Sequence, residues 1–554
     1  MAVHRDVRVA RPERTFVQGK GGTRYVYLYT EFFRNDEGRP RNRSVAIGAL
    51  CGDDESMMWP NDNYMDIYGD PRPEEEAPPR ESATVGVGYT AVVEECLRDL
   101  GLDEIMAGSF GEDLATRAKV ICAHMCKGDS AVDYVDDFCE KEMFLGASAR
   151  LDGRRASDLF KSVGREEMTD FYLQWVPLQA SDGYVCYDVT SVSTWSDMIV
   201  EAEYGHDRDH EKLPQINMGL FHSEGTGYPV FAQRYNGSVN DHANVLQAIA
   251  AARACGLDAN FKLVADGVFF QEEKVRAIVD AGVTITCGMP ICLDVSKSYV
   301  DRHGQGLICA DNYVGHDGTY AKVVEDQEIF GVRCRVLVGF CMESAMLLND
   351  DLDAKVMRYE SEDIPSIKRH ATVTRHKKYT NLFDFEQTED GRFTFCRNEA
   401  KIAAARKRFG YFTLFTTDPD ATARELVGCY RDKDSVEKQF WEMKRGMDGR
   451  RPRVHSQQAL DGKYGLLFIC LIIRRWLRKR LEVYMGANNV PLKRCIMKLS
   501  DVKVYYDADE VRLEKAITKQ QREMLEACGV DPKTLESRAR ETIVARGWSK
   551  GGTR

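Results

Sequence analysis

The stretch Y-V-C-Y-D-V-T-S-V, Tyr184 to Val192, decides the fold. It is filled with β-branched and aromatic residues and predicts a buried strand. Ile216 to His222 and Tyr228 to Arg234 repeat the pattern, giving three strands in succession. Asn240 then reads as the N-cap of a helix that reaches Cys255 and is stopped by Gly256. Phe261 to Ala265 predicts another buried strand ending at Asp266, Gln271 to Ala281 a helix, and Val283 to Cys287 a further strand.

Three strands, then helix, strand, helix, strand, is the order of a ribonuclease H-like α/β core. The order is interrupted between Gly288 and about Gly410. There β-like pieces (G-V-R-C-R-V-L-V-G-F, Y-T-N-L-F-D-F, R-F-T-F-C) alternate with charged turns, which predicts a mostly β inserted subdomain. Tyr411 to Thr417 reads as one more strand, and the core resumes with it.

After that strand comes Y-R-D-K-D-S-V-E-K-Q-F-W-E-M-K, Tyr430 to Lys444. At about 100° per residue, Tyr430, Lys433, Glu437 and Lys444 share one helical stripe roughly 60° wide. Val436, Phe440, Met443 and Met447 form the neighbouring stripe, the face such a helix buries. Trp441, about 20° from Tyr430 on the same wheel, either faces DNA or fills the seam, with packing in the seam the favoured expectation.

Three acids therefore take telling positions: Asp188 in the first strand, Asp266 at the end of the fourth, and Glu437 on the late helix. In a ribonuclease H-like sheet the first and fourth strands are neighbours, so Asp188 and Asp266 would meet at the sheet centre. Unpaired carboxylates there repel and raise each other's pKa, and two Mg²⁺ ions remove that penalty. Ions held about 3.5–4 Å apart activate a water or a 3′-hydroxyl and stabilise the leaving oxygen of an in-line phosphoryl transfer. Asp188 would bridge both ions, with Asp266 on one and Glu437 on the other; Mn²⁺ can substitute.

These residues resemble the DDE transposases of bacterial and archaeal insertion sequences, in the insertion-sequence-four superfamily. That group's signature is Y-x2-R-x3-E-x6-K, which Tyr430, Lys433, Glu437 and Lys444 match in spacing, with Lys433 standing where the family has arginine. A lysine keeps the charge but not the bidentate fork. Y-D-V-T-S-V-S around Asp188 and V-A-D-G-V-F-F around Asp266 resemble the first and second acidic motifs, and the β-rich insertion is a family trait. The resemblance implies binding of terminal inverted repeats on double-stranded DNA, 3′-strand cleavage by water, and joining of the freed 3′-OH to target DNA by a homodimer. It also implies that Tyr430, Lys433 and Lys444 steady phosphates near the cleaved end. Phe269 and Phe270 stand where relatives offer an aromatic to a flipped base, and at least one is expected to pack instead.

Two other readings stay open: a catalytically inactive or domesticated DNA-binding relative, and a ribonuclease H-like nuclease without strand transfer. The intact acids argue against the first. The long insertion and the basic run after Lys444 argue against the second; that run includes Arg450, Arg451 and Arg453, then Arg474, Arg475, Arg478, Lys479 and Arg480.

Outside the core, Thr23 to Leu50 predicts a hairpin around N-D-E-G-R-P, with Arg34, Arg39, Arg41 and Arg43 clustered at its turn. Asp70 to Arg80 is acidic and proline-rich, as in a linker. Gly86 to about Val176 is helical in pattern. The expected division is 1–80 (hairpin unit and linker), 81–180 (helical, possible DNA binding), 181–287 and 411–498 (the two parts of the core), 288–410 (insertion) and 499–554 (polar helical tail).

With 554 residues the chain is too long for one core, so three or four units are expected. Its net charge of −11 gives no general attraction to nucleic acid or anionic membrane, so DNA contact must come from local basic patches. Seventeen scattered cysteines without a C-x-x-C pair, and no signal peptide at M-A-V-H-R, fit reduced thiols in a cytoplasm. Cys122, His124 and Cys126 lack the second ligand pair of a zinc site. The apolar run Leu466 to Ile473 is too short to span a membrane and reads as a buried helix.

Overall fold

A computed structural model describes the chain apart from residues 1, 2, 6, 21–22, 35–39, 53, 70, 72–81, 129–130, 180–182, 206–210, 240, 316–317, 508–509 and 547–554. The acidic linker and the Asn240 cap thus lie almost wholly outside the described residues, as do Arg39 and the tip of the predicted hairpin. Packing divides the chain into two units, Met1–Glu81 and Ser82–Arg554.

In the first unit the predicted hairpin is the centre of a five-stranded antiparallel sheet, with Thr23–Arg34 paired to Pro40–Cys51 and further strands on both sides. Arg41 and Arg43 lie exposed along the second hairpin strand.

The second unit is built on a nine-stranded sheet. Its strands are β1 (Tyr184–Ser193), β2 (Gln215–Ser223), β3 (Pro229–Asn236), β4 (Lys262–Ala265) and β5 (Thr284–Met289), then β6 (Tyr313–Gly315), β7 (Thr319–Ile329), β8 (Val332–Cys341) and β9 (Tyr411–Thr416). The lateral order is β6-β7-β8-β9-β5-β4-β1-β2-β3. β4 runs parallel to both β1 and β5, and every other pairing is antiparallel. Helices Asp241–Ala254 and Glu272–Asp280 make the crossovers that parallel neighbours require. The first five strands fall within a residue or two of their predicted bounds.

The inserted stretch is not a separate β subdomain throughout. β7 and β8 extend the main sheet, because β8 buries Cys334, Val336, Leu337 and Val338 and pairs with the outer edge of β9. Residues 342–410 are mostly helical and carry one hairpin, Phe383–Gln387 with Phe393–Arg397, over a small core including Leu352, Tyr359 and Phe383.

Two helices follow β9: α1 (Ala423–Asp432) and α2 (Asp434–Trp441), continued by a π-helical turn, Glu442–Gly446. A capping box of Thr422 and Glu425 starts α1. Helix α3 (Gln457–Asn488) is 32 residues long, and Leu466 to Ile473 are all buried in it, as the apolar run predicts. The N-terminal helices wrap α3 and share its core: Cys122 and Cys126 point their thiols at the carbonyls of Leu466 and Cys470. His124 instead meets Ala131 O at 3.0 Å, so this trio packs helices together. The C-terminal tail is less helical than expected, since Lys503–Asp507 pairs with Ser82–Gly86 and Val511–Leu513.

Candidate active site

Register sets the first two acids. Tyr187 on β1 pairs with Ala265 on β4, so Asp188 and Asp266 are each the next residue along adjacent parallel strands. Opposed residues in such a pair project to the same face. Asp188 is the one residue of β1 that is not fully buried, and one of its oxygens accepts the Val189 amide at 2.8 Å.

Helices α1 and α2 cover that face. Cys186, two residues before Asp188, directs its thiol to Cys429 O on α1 at 3.7 Å. His222, paired with Cys186 in register, meets the Gln439 amide of α2 through Nδ1. Val436, Phe440, Met443 and Met447 are all buried, as the wheel predicts. Gly288 on β5 admits the Tyr430 hydroxyl: a Cβ there would meet Oη. Gly288→Ala is therefore expected to lower stability by about 1–3 kcal/mol in urea unfolding, because the half-buried phenol must shift.

The sheet and helix acids meet through a lysine. Lys433 Nζ lies 3.0 Å from Glu437 Oε1 and 3.4 Å from Asp266 Oδ1, and 6.0 Å from the centre of the Tyr430 ring. Its side chain is 12% exposed, against 42% for Asp266 and 55% for Glu437. Burial works against the ammonium, but the Glu437 and Asp266 carboxylates outweigh it and hold the Lys433 pKa above the usual lysine range. Burial and the nearby Asp266 push the Tyr430 phenol up to about 12, so it stays protonated as a donor at neutral pH.

A cation thus already sits between two of the three predicted acids. Carboxylate oxygens are the donors a hard divalent ion prefers, so the set fits such an ion in kind. Among the described residues, however, no three Asp, Glu, His or Cys side chains converge tightly enough to hold a metal. Asp188 stands beside Asp266 in register. Lys444 falls in the π turn, whose wider winding takes it off the regular helical stripe.

Several predicted roles are corrected. Phe269 and Phe270 are both buried, the first edge-on to Tyr187 and the second against Phe330 and Phe415, so the packing expected of at least one holds for both. Trp441 is 54% exposed rather than packed in the seam. Much of the basic run serves the fold: Arg474 is buried on Glu442, Arg480 pairs with Asp99, and Arg450 and Arg451 hold Glu211. The Gln439–His222 link had no signal in the sequence, because neither residue belongs to a motif.

Burial, with Arg475 and Lys479 nearby, lowers the His222 pKa to about 3. Its unfolded value is about 6.5. Between those values the unfolded chain binds the extra proton, so this term is fully present above pH 6.5 and fades as pH falls. Stability is expected to drop by about 2 kcal/mol from pH 6.5 to pH 5 through this residue, and His222→Gln to flatten that slope in denaturant titrations.

No curated protein matches the sequence. Among solved structures, the piggyBac transposase synaptic complex with hairpin DNA matches at 10% identity and a TM-score of 0.32, over 84% of this chain and 80% of that one. The family model of the transposase DDE domain matches residues 181–473, which hold Asp188, Asp266, Glu437 and the whole stretch from Tyr430 to Lys444. That match spans more than half of the 554 residues, and the chain belongs to the DDE-domain transposase family.

Proposed function

We propose that the chain is the DNA transposase of an insertion sequence in the insertion-sequence-four superfamily, acting as a homodimer on paired double-stranded ends. Its core is ribonuclease H-like: the order β3-β2-β1-β4-β5, with β4 parallel to both neighbours, supports that reading. It cleaves the 3′ strand at each terminal inverted repeat and joins the freed 3′-OH to target DNA in the cytoplasm. The observation that carries the proposal is the ammonium of Lys433 seated between Asp266 and Glu437, beside the strand that bears Asp188.

Asp188, Asp266 and Glu437 would hold two Mg²⁺ ions. Bound there, the ions supply Lewis acidity to the attacking and leaving oxygens of phosphoryl transfer. Lys433 keeps the two carboxylates from repelling one another before loading, and once released it is close enough to bind a phosphate of the cleaved strand. Tyr430 donates its hydroxyl to the same strand, and Lys444 adds a second charge further along the helix. Asp188 lies on β1 and Asp266 just beyond the end of β4, while Glu437 rides on α2, packed over the sheet.

The test is incubation of purified protein with Mg²⁺ and a DNA fragment carrying the element's ends, beside Asp188→Ala. End-specific nicks and joined products, both absent in the variant, are expected. Cleavage without joining would point to a nuclease, and binding without cleavage would overturn the catalytic reading.

A further inference from the structure

The sheet of the N-terminal unit packs its own small core on one face. Successive residues of a strand point to opposite sides, and in Thr23–Arg34 it is Val26 and Leu28 that join Val9, Ile47 and Met58 in that core. An antiparallel sheet commonly turns polar residues out on its other face. Here it turns out aromatic ones. Phe16 pairs with Tyr27 in register, Tyr25 with Ala49, and Ala49 with Trp59, which puts these residues on one face. A bulge between Tyr29 and Glu31 brings Phe32 back to the side of Tyr29.

The rings run in a row. Phe16 lies 5.2 Å from Tyr27 and 4.8 Å from Tyr29, and Tyr29 lies 5.2 Å from Phe32, centre to centre. Ala46 and Ala49, paired with Tyr27 and Tyr25, are buried and floor the row. Phe32 is 69% exposed, and Tyr25, Tyr27 and Tyr29 are partly exposed.

Polar groups around the row narrow what can lie on it. The hydroxyls of Tyr25, Tyr27 and Tyr29 meet no hydrogen-bond partner among the described residues. None of the residues paired with the six aromatics in register is acidic. Cations stand close by instead. Arg14, whose carbonyl accepts the Tyr29 amide, and Arg41, next to the Asn42 that pairs with Phe32, are exposed and engage no carboxylate among the described residues. Arg5 lies over the Trp59 ring at 5.4 Å. Open rings, free hydroxyls and cations without an acid complement unpaired bases on a phosphate backbone. An apolar peptide would leave the phenols and arginines unused, and a duplex keeps its base faces stacked inside.

We propose that this face is a platform for single-stranded nucleic acid: unpaired bases lie on Tyr27, Tyr29 and Phe32, the phenols hydrogen-bond to base edges, and Arg14 and Arg41 meet the phosphates. The face belongs to Met1–Glu81, outside the stretch that holds the three acids, and the proposal does not rest on the transposase reading.

The experiment is fluorescence anisotropy of the full chain in EDTA, with a labelled single-stranded dodecanucleotide as DNA and as RNA, its abasic DNA counterpart, and the DNA duplex. Phe32→Ala and Phe32→Leu are compared with the wild type; the position is exposed, and thermal melting checks the fold. Each is expected to weaken binding of the intact single strand by about fivefold or more, because leucine keeps apolar area but offers no ring. Binding of the abasic strand and of the duplex should not change in either variant. Arg14→Ala is expected to weaken intact and abasic strands alike. The tighter of DNA and RNA identifies the strand. No binding of either single strand, wild-type affinity in Phe32→Leu, or equal losses for intact and abasic strands overturns the proposal. Light scattering covers a second copy as occupant: a dimer that Phe32→Ala dissociates, with oligonucleotide affinity unchanged, overturns it as well. Asp188→Ala keeps the two readings apart, since it loses end cleavage under the transposase reading yet binds the single strand as the wild type does.

Discussion

Asp266→Ala and Glu437→Ala are each expected to lower end cleavage by about a thousandfold or more, the equivalent of several kcal/mol of lost charge stabilisation in the transition state. The fold should barely notice. Both side chains are about half exposed, and pairs of that kind contribute roughly 0–1 kcal/mol after screening. Equal urea midpoints with abolished cleavage would therefore separate chemistry from folding. Asp266→Asn gives a stricter comparison, since it keeps the side-chain shape while removing the charge. A variant at either position that still nicks DNA ends at the wild-type rate would remove that residue from the site.

The largest effect on stability is expected at Glu442. Arg474 is 4% exposed and Glu442 5%, and both Nε and Nη2 of the guanidinium reach Glu442 Oε2 at 2.6 Å. Arg474 also donates to Cys126 O, tying the π turn, α3 and the N-terminal helices at one point. Glu442→Ala strands a guanidinium without its counter-ion and is expected to cost about 3–5 kcal/mol in chemical denaturation. Replacing the acid and its buried partner, Glu442→Met with Arg474→Met, should recover part of that loss, because apolar pairs of similar volume often match buried ion pairs, while Arg478 still loses its carboxylate. A loss below about 1 kcal/mol in the single variant would show that water reaches the pair.

The central strands were legible because their apolar, β-branched runs are bounded by turn residues, and because the strand order implies which strands pair. Asp188 and Asp266 could therefore be put on neighbouring strands from sequence alone, and the register places them so. The partner of β8 could not be read, since V-R-C-R-V-L-V-G-F is equally suited to a separate sheet and to the edge of β9. The charges after Lys444 were visible, but their partners were not. Glu442 and Asp99 lie far along the chain from the arginines they hold. Helical periodicity also misjudged Trp441, because the wheel gives an angle but not whether a neighbouring helix stands close enough to cover the ring.

Lys433 is the point where sequence and structure together say most. Its spacing matches the signature, and its ammonium occupies the gap between two predicted ligands. The central claim is that Asp188, Asp266 and Glu437 act as one ion-binding set. It is tested most directly by titrating the protein with Mn²⁺ and following free ion by electron paramagnetic resonance. The account predicts two ions per chain, with affinity weakened by about tenfold or more in Asp188→Ala, Asp266→Ala and Glu437→Ala alike, and strengthened in Lys433→Met, where the competing ammonium is gone. Wild-type Mn²⁺ binding in all three acid variants would contradict it.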